Sequence, residues 1–195
     1  SPVAWSPDGQ YLFANRGEIS GVPEGDVYRI EIATGKAEDL TSHDGKRLYS
    51  ATSLSRDGKT LLITSDEKGG YQNVALLDVT SKQRTWVTDT KWEASSGNFS
   101  PDGKLFTYTI NADGRIDAYM ASSANQRAEK IALPEGLNYF AGNPSPFSPD
   151  GDRVLAEHQS STQPGDLWVY DIAKHNSTRL TYSAIASLTT TPLPA

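Results

Sequence analysis

Four copies of one tight turn constrain this chain more than any other feature: Ser6-Pro7-Asp8-Gly9, Ser55-Arg56-Asp57-Gly58, Ser100-Pro101-Asp102-Gly103 and Ser148-Pro149-Asp150-Gly151. The closing glycines stand 49, 45 and 48 residues apart (9 to 58, 58 to 103, 103 to 151). A period in this range marks a repeat architecture. Serine can accept a hydrogen bond from the turn. Proline presets φ at the second position of a type I turn, and glycine closes the hairpin in the left-handed region. Arg56 fits too, because that position prefers proline without requiring it. An apolar residue precedes each serine (Trp5, Leu54, Phe99, Phe147), and another follows each glycine by three (Leu12, Leu61, Phe106, Val154). Each copy is therefore expected to join two apolar strands.

Two more strands complete each unit. In the first, Asp26–Ile32 alternates from Tyr28 onward, and 37–41 reads as an edge strand. The start of the third strand recurs as Asp26-Val27-Tyr28, Asn73-Val74-Ala75, Asp117-Ala118-Tyr119 and Asp166-Leu167-Trp168. Fourth strands end near Leu40, Val87, Leu133 and Leu180; Thr41, Thr88 and Thr181 follow three of them and Pro134 the other. No helix-length window keeps a 3.6-residue period free of Gly, Pro or β-branched clusters. The pattern predicts an all-β fold: a β-propeller of four-stranded antiparallel blades, one separate sheet per blade. Four blades are expected, at about 1–41, 42–88, 89–134 and 135–182, as a partial propeller or half of a larger ring. A tail or linker follows over 183–195. Tyr28, Tyr119 and Trp168 recur in one column and are expected to pack between blades.

Propeller geometry sorts the connections. The repeated turns lie on one face. The opposite face receives the longer, variable segments: Asn15–Gly25, Ser65–Gln72, Thr109–Ile116 and His158–Gly165, with links over 42–51, 89–96 and 134–145. Function concentrates on loops that vary over a constant scaffold. The candidate interaction residues there are Tyr49, Tyr71, Trp92, Glu93, Tyr139, Phe140 and His158.

Several chemistries have no support. The net charge of −6, without a Lys/Arg cluster, argues against nucleic acid or an anionic membrane surface as partner. The longest apolar runs have four residues, Val74–Leu77 and Leu167–Tyr170, against the roughly 20 that span a bilayer. There is no cysteine, so disulfides and thiolate metal sites are excluded, and bacterial cytoplasm and periplasm both stay open. Glycines at nucleophile-elbow spacing enclose Ile19 or Pro23, not serine. His43, His158 and His175 have no metal spacing and read as solvated loop histidines. The stretch from Asn111 to Asp117 resembles the start of a calcium loop, but Ser122 stands where its glutamate belongs, and a hairpin explains it better. No catalytic residue, cofactor or metal is expected. The chain opens within a strand pattern at Val3-Ala4-Trp5, without an initiator Met, and is expected to start at a cut.

Phe99–Lys104, the run Asp166–Asp171 and the following Arg179-Leu180-Thr181 resemble TolB-type propeller repeats. More narrowly they resemble the propeller, here its C-terminal half, of prolyl-oligopeptidase-family serine peptidases on the dipeptidyl-peptidase and acylaminoacyl-peptidase branch. That resemblance implies an α/β-hydrolase domain in the same parent chain, carrying the serine triad. The propeller caps that site and gates short peptides. It also implies that this chain is non-catalytic, and the paired glutamates of dipeptidyl peptidases have no match here. A TolB-like protein-interaction propeller without an attached enzyme is the alternative. A sugar-binding propeller is a third reading, since the turns resemble an Asp box loosely. Open blade faces would allow self-association.

Overall fold

The computed structural model describes residues 1–17 and 24–183. Part of the connection expected over Asn15–Gly25, and all of the expected tail but its first residue, lie outside the described residues. Among those described there are sixteen strands and no helix. β1 (Pro2–Trp5), β2 (Tyr11–Arg16), β3 (Asp26–Glu31) and β4 (Ala37–Asp39) form an antiparallel sheet in chain order. A second such sheet holds β5 (Tyr49–Leu54), β6 (Thr60–Ser65), β7 (Asn73–Asp78) and β8 (Arg84–Trp86). The third set is β9 (Glu93–Phe99), β10 (Leu105–Ala112), β11 (Arg115–Ser122) and β12 (Ala128–Lys130). The fourth is β13 (Leu137–Phe140), β14 (Arg153–Ser160), β15 (Gln163–Asp171) and β16 (Asn176–Arg179).

The last two sets are not separate sheets, contrary to expectation. One parallel pair, Ile116 with Leu137, joins β11 to β13 and makes them a single eight-stranded sheet. The joint has a local cause. Gly136 sits at φ +150, where a Cβ would collide with the Gln159 carbonyl oxygen, so only glycine lets the Ile116 N–H reach the Gly136 oxygen at 3.0 Å. The first junction carries a single parallel bridge of the same kind, Gly25 with Leu48, and the second a single backbone hydrogen bond. Tyr49 N–H donates to the Gly25 oxygen at 2.7 Å, and Ala94 N–H to the Gln72 oxygen at 2.8 Å.

The four turns are alike atom by atom. Each glycine N–H donates to the serine oxygen at 2.8 or 2.9 Å, with glycine φ between 69 and 80°. Serine Oγ donates to the aspartate Oδ1 at 2.5, 2.7, 2.7 and 2.6 Å. It also accepts the N–H two residues beyond the glycine at 2.9, 2.9, 3.0 and 3.0 Å. The turns nest against one another. A Cβ on Gly58 would come within 2.5 Å of Pro7 Cδ, Gly103 faces Arg56, and Gly151 faces Pro101.

The core lies between the strand sets. Phe13, Val27 and Leu40 of the first meet Leu61, Ile63, Ala75 and Leu77 of the second. The other face of the second presents Leu62, Val74 and Leu76 to Phe99, Phe106 and Tyr108 of the third. Ala118, Met120 and Ile131 then meet Phe147, Val154 and Tyr170 of the fourth. Five of the six residues of β6 are buried, because both faces of its sheet are covered. Leu61, Phe106 and Val154, each three residues after a turn glycine, all face the preceding set and are fully buried. Leu12, at the same place in the first set, is half-buried.

Two segments expected as loops are strands. Thr109–Ile116 is the tip of the β10–β11 hairpin, closed by Asp113 at φ 51 and Gly114 at φ 77. His158–Gly165 is the tip of the β14–β15 hairpin. Their tips are polar and largely exposed and carry Gly or Pro, which reads as loop; the hairpin reading of Asn111–Asp117 already pointed to the first of them.

Candidate functional site

Opposite the turns, three of the four connections are tied down by one polar residue of a third strand: Asp26 and Asn73, which begin β3 and β7, and Asp166, inside β15. Asn73 is fully buried and serves as the second set's knot. Its Oδ1 accepts from Thr88 Oγ1 and from Thr90 N–H, both at 2.9 Å. Its Nδ2 donates to the carbonyls of Tyr71 and Thr90 at 3.2 Å and of Lys68 at 3.4 Å. Thr88 Oγ1 in turn accepts the Val74 N–H at 2.8 Å. The first set repeats this with Asp26 and Thr41, whose Oγ1 accepts the Val27 N–H at 2.9 Å; His43 Nε2 lies 3.2 Å from Asp26 Oδ1.

The fourth set repeats it with Asp166. Its carboxylate receives Thr181 Oγ1 at 2.9 Å, Ser183 N–H at 2.8 Å and the Arg179 guanidinium. Burial works to raise its pKa, but these hydrogen bonds outweigh it and hold the group at about 2. The third set departs from the pattern. Pro134 replaces the threonine, and Asp117 pairs with Lys130 Nζ at 2.7 Å and Arg115 Nε at 3.5 Å. Sequence reasoning missed these latches, although the polar column at the third-strand start and the threonine after three fourth strands were their signal.

The latches decide where the candidate residues end up. Tyr71 and Trp92 are exposed, at 43% and 46%. They flank the knot on Asn73, and Glu93 Oε2 accepts the Gln72 N–H at 3.1 Å between them. This places two solvated aromatic side chains on fixed backbone at the junction of the second and third sets. Tyr139 is also exposed, but lies in β13, an interior strand paired with β14 and joined through Leu137 to β11. Phe140, its neighbour, is half-buried against Phe147 and Val154.

Two candidates are not available to a partner. Tyr49 lies in β5, 1% exposed, with the Arg84 guanidinium 4.9 Å from its ring centre, and burial pushes its hydroxyl up to about 12. His158 is not a solvated loop histidine. It lies in β14, 2% exposed, edge-on to Trp168 at 6.0 Å. Asn138 Nδ2 donates to the Ile116 and Pro134 carbonyls, so Asn138 Oδ1 is an acceptor, and His158 Nδ1 carries the proton it receives at 2.8 Å. Burial, with Arg179 nearby, lowers the His158 pKa and keeps the ring neutral at pH 7. Strand alternation buries both residues; their aromatic character alone did not reveal that. Of the aromatic column, Tyr119 stacks on Tyr108 at 5.1 Å and Trp168 packs on His158, while Tyr28 lies under Arg16 at 5.9 Å.

Among the described residues no group of three or more His, Asp or Glu could hold a metal ion. No described helix is long and apolar enough to cross a membrane.

No protein-family profile matches the sequence. The Tol-Pal system protein TolB of Francisella tularensis (strain WY96-3418) is 30% identical over 188 residues, covering 93% of this chain but 41% of that protein. The chain thus spans less than half the length of this relative. A putative TolB from Agrobacterium tumefaciens superposes with a TM-score of 0.69 at 26% identity, covering 94% of this chain and 62% of that one. A puromycin-hydrolyzing peptidase from Mycobacterium tuberculosis superposes with a TM-score of 0.73 at 15% identity, covering 95% of this chain and 29% of that one. These likenesses, with the all-β content and the antiparallel sheets, show a β-propeller fold of the kind found in TolB and in the propeller regions of such peptidases.

Proposed function

We propose that this chain is the docking part of a TolB-like propeller: a non-catalytic region that binds another protein through the rim opposite the repeated turns. The observation that carries the reading is the pair Tyr71 and Trp92, exposed to solvent yet held by a buried asparagine, Tyr71 directly and Trp92 through Thr90. Rigid aromatics on latched backbone bind with little loss of conformational freedom, and such residues dominate binding energies. The likeness to a Tol-Pal system protein over 93% of the chain supports a partner from that system. The four strand sets are read as four blades, about 1–41, 42–88, 89–134 and 135–182, of a larger ring. The half-buried Leu12 and Ile30 on one end and Leu155, Leu167 and Val169 on the other support that reading, since the same repeat positions are buried inside the stack.

A second reading has the propeller cap an α/β-hydrolase domain of the same parent chain and gate short peptides. The superposition on the puromycin-hydrolyzing peptidase favours it. On either reading the purified chain hydrolyses neither peptides nor esters. Calorimetric titration with purified Tol-Pal proteins of one bacterium separates the two. Docking predicts saturable binding that weakens by about 30-fold or more in a Tyr71→Ser/Trp92→Ser variant. A chain that binds none of them, or binds equally after both substitutions, would overturn the docking reading.

A further inference from the structure

On the turn rim, between the second and third strand sets, the nested turns leave a cleft of about 510 Å³. It is lined by Arg56, Asp57, Asp102 and Ser123, with Leu76 and Phe99 supplying its apolar part. Its volume falls among those of small-molecule sites, about 300–1,000 Å³. The whole cleft lies within this chain, on the rim away from Tyr71 and Trp92, and it does not depend on the docking reading.

Arg56 is what sets this junction apart. Proline holds its place in the other three turns, so only here does the turn put a cation at the rim. The guanidinium uses one of its five N–H donors on the Pro101 carbonyl, at 3.4 Å, and the others remain for a ligand. Asp57 and Asp102 are ionised, each bound through Oδ1 by its turn: Ser55 Oγ and Lys59 N–H hold one, Ser100 Oγ and Lys104 N–H the other. Lys104 Nζ stands 3.3 Å from Asp102 Oδ2 but is largely exposed, so it screens that carboxylate only weakly. Ser123 has its N–H fixed on the Lys104 carbonyl at 2.8 Å, yet its buried Oγ meets no protein partner. A buried hydroxyl without a partner is uncommon, and a ligand's amide would satisfy it once the Ser123 side chain turns into the cleft.

One cation, two anions, an unmatched hydroxyl and an apolar patch in one cleft select a zwitterion with an apolar side chain. A phosphate or other polyanion would face two carboxylates, and a simple cation would face Arg56. The geometry points to a binding site for short linear peptides of dipeptide size. The peptide's carboxylate lies on Arg56, its ammonium toward Asp57 and Asp102, its amide on Ser123 Oγ and its side chain over Leu76 and Phe99. Bidentate geometry suits a guanidinium to a terminal carboxylate.

The test is calorimetry of the chain with three probes: leucyl-leucine, leucyl-leucinamide and N-acetyl-leucyl-leucine. Leucyl-leucine binds, and losing either terminal charge weakens binding about tenfold, as expected for partly exposed charge pairs. Arg56→Pro restores the turn that three copies already use, so the fold survives, and a melting temperature no lower than that of the unaltered chain checks this. In that variant leucyl-leucine binds no better than its amide. Arg56→Gln gives the same result without changing the backbone. Backbone amide shifts on adding leucyl-leucine centre on Gly103 and Ser123. Equal binding of acid and amide to the unaltered chain would overturn the proposal, as would undiminished binding by both Arg56 variants, or no binding of leucyl-leucine at millimolar concentration. None of these results bears on the Tyr71 and Trp92 surface.

Discussion

The two rims of this stack repeat with the same period and hold their backbone by different means. A turn closes within a few residues: serine, aspartate and glycine satisfy one another at nearly identical distances in all four copies. A latch reaches 14 or 15 residues, from a third strand to the threonine after the fourth. The turn tolerates Arg56 because its second residue contributes only a preset φ. The latch does not tolerate loss of its threonine: where Pro134 stands, Asp117 turns to Lys130 and Arg115 instead. Local networks repeat faithfully and give a scaffold. The longer ones vary from set to set, and they fix the connections that differ.

That contrast can be broken by substitution. Asn73→Ala should cost the most, about 3 kcal/mol, since it leaves several buried backbone groups unpaired. Urea denaturation reads the loss, and Trp92 fluorescence should shift as its link is freed. Thr88→Val should cost about 2 kcal/mol, through the Val74 N–H it strands in the core. Ser55→Ala, in the half-exposed turn, should cost only about 1 kcal/mol because water replaces the hydroxyl. Costs in the reverse order would refute the distinction between the rims.

The pH response sharpens it further. His158 is buried neutral with a lowered pKa, so the unfolded chain binds the proton more readily. Its contribution is therefore complete above about pH 6.5, the ordinary histidine value, and is lost as the pH falls below that. Asp166 opposes no part of this, because it stays ionised down to about 2. Melting temperatures between pH 7.5 and 5.5 should fall in the native chain and flatten in His158→Gln. The turn aspartates Asp8, Asp57, Asp102 and Asp150 are all held below the usual carboxylate range, by the serine hydroxyl first in three copies and by the Lys104 N–H first in Asp102. Their contribution is full above the ordinary carboxylate pKa and is lost only in stronger acid. The smallest effect belongs to Arg56→Pro, a gain of about 0.5 kcal/mol from a stiffer unfolded chain.

Much of the fold was legible because its signals are local. The Ser-x-Asp-Gly copies place eight strands, and the apolar residue three beyond each glycine marks the side that faces the preceding set. The parallel joint at Ile116 was not legible, since it depends on the one glycine, Gly136, that lets two backbones touch. The exposed aromatics Tyr71 and Trp92 could be placed from loop variation alone. Tyr49 and His158 could not, because a two-residue period decides whether a side chain points inward, and a strand boundary shifted by a few residues reverses the answer. The cleft at Arg56 was visible only as a departure from the repeat; its apolar lining comes from neighbouring sets.

The central claim is that the latched rim is the face that meets another protein. Hydrogen–deuterium exchange of the chain, alone and with the Tol-Pal proteins titrated above, tests it most directly. The account predicts added protection over 66–72 and 89–93, with the four turns unchanged. Protection confined to the turns, or spread evenly over the chain, would contradict it.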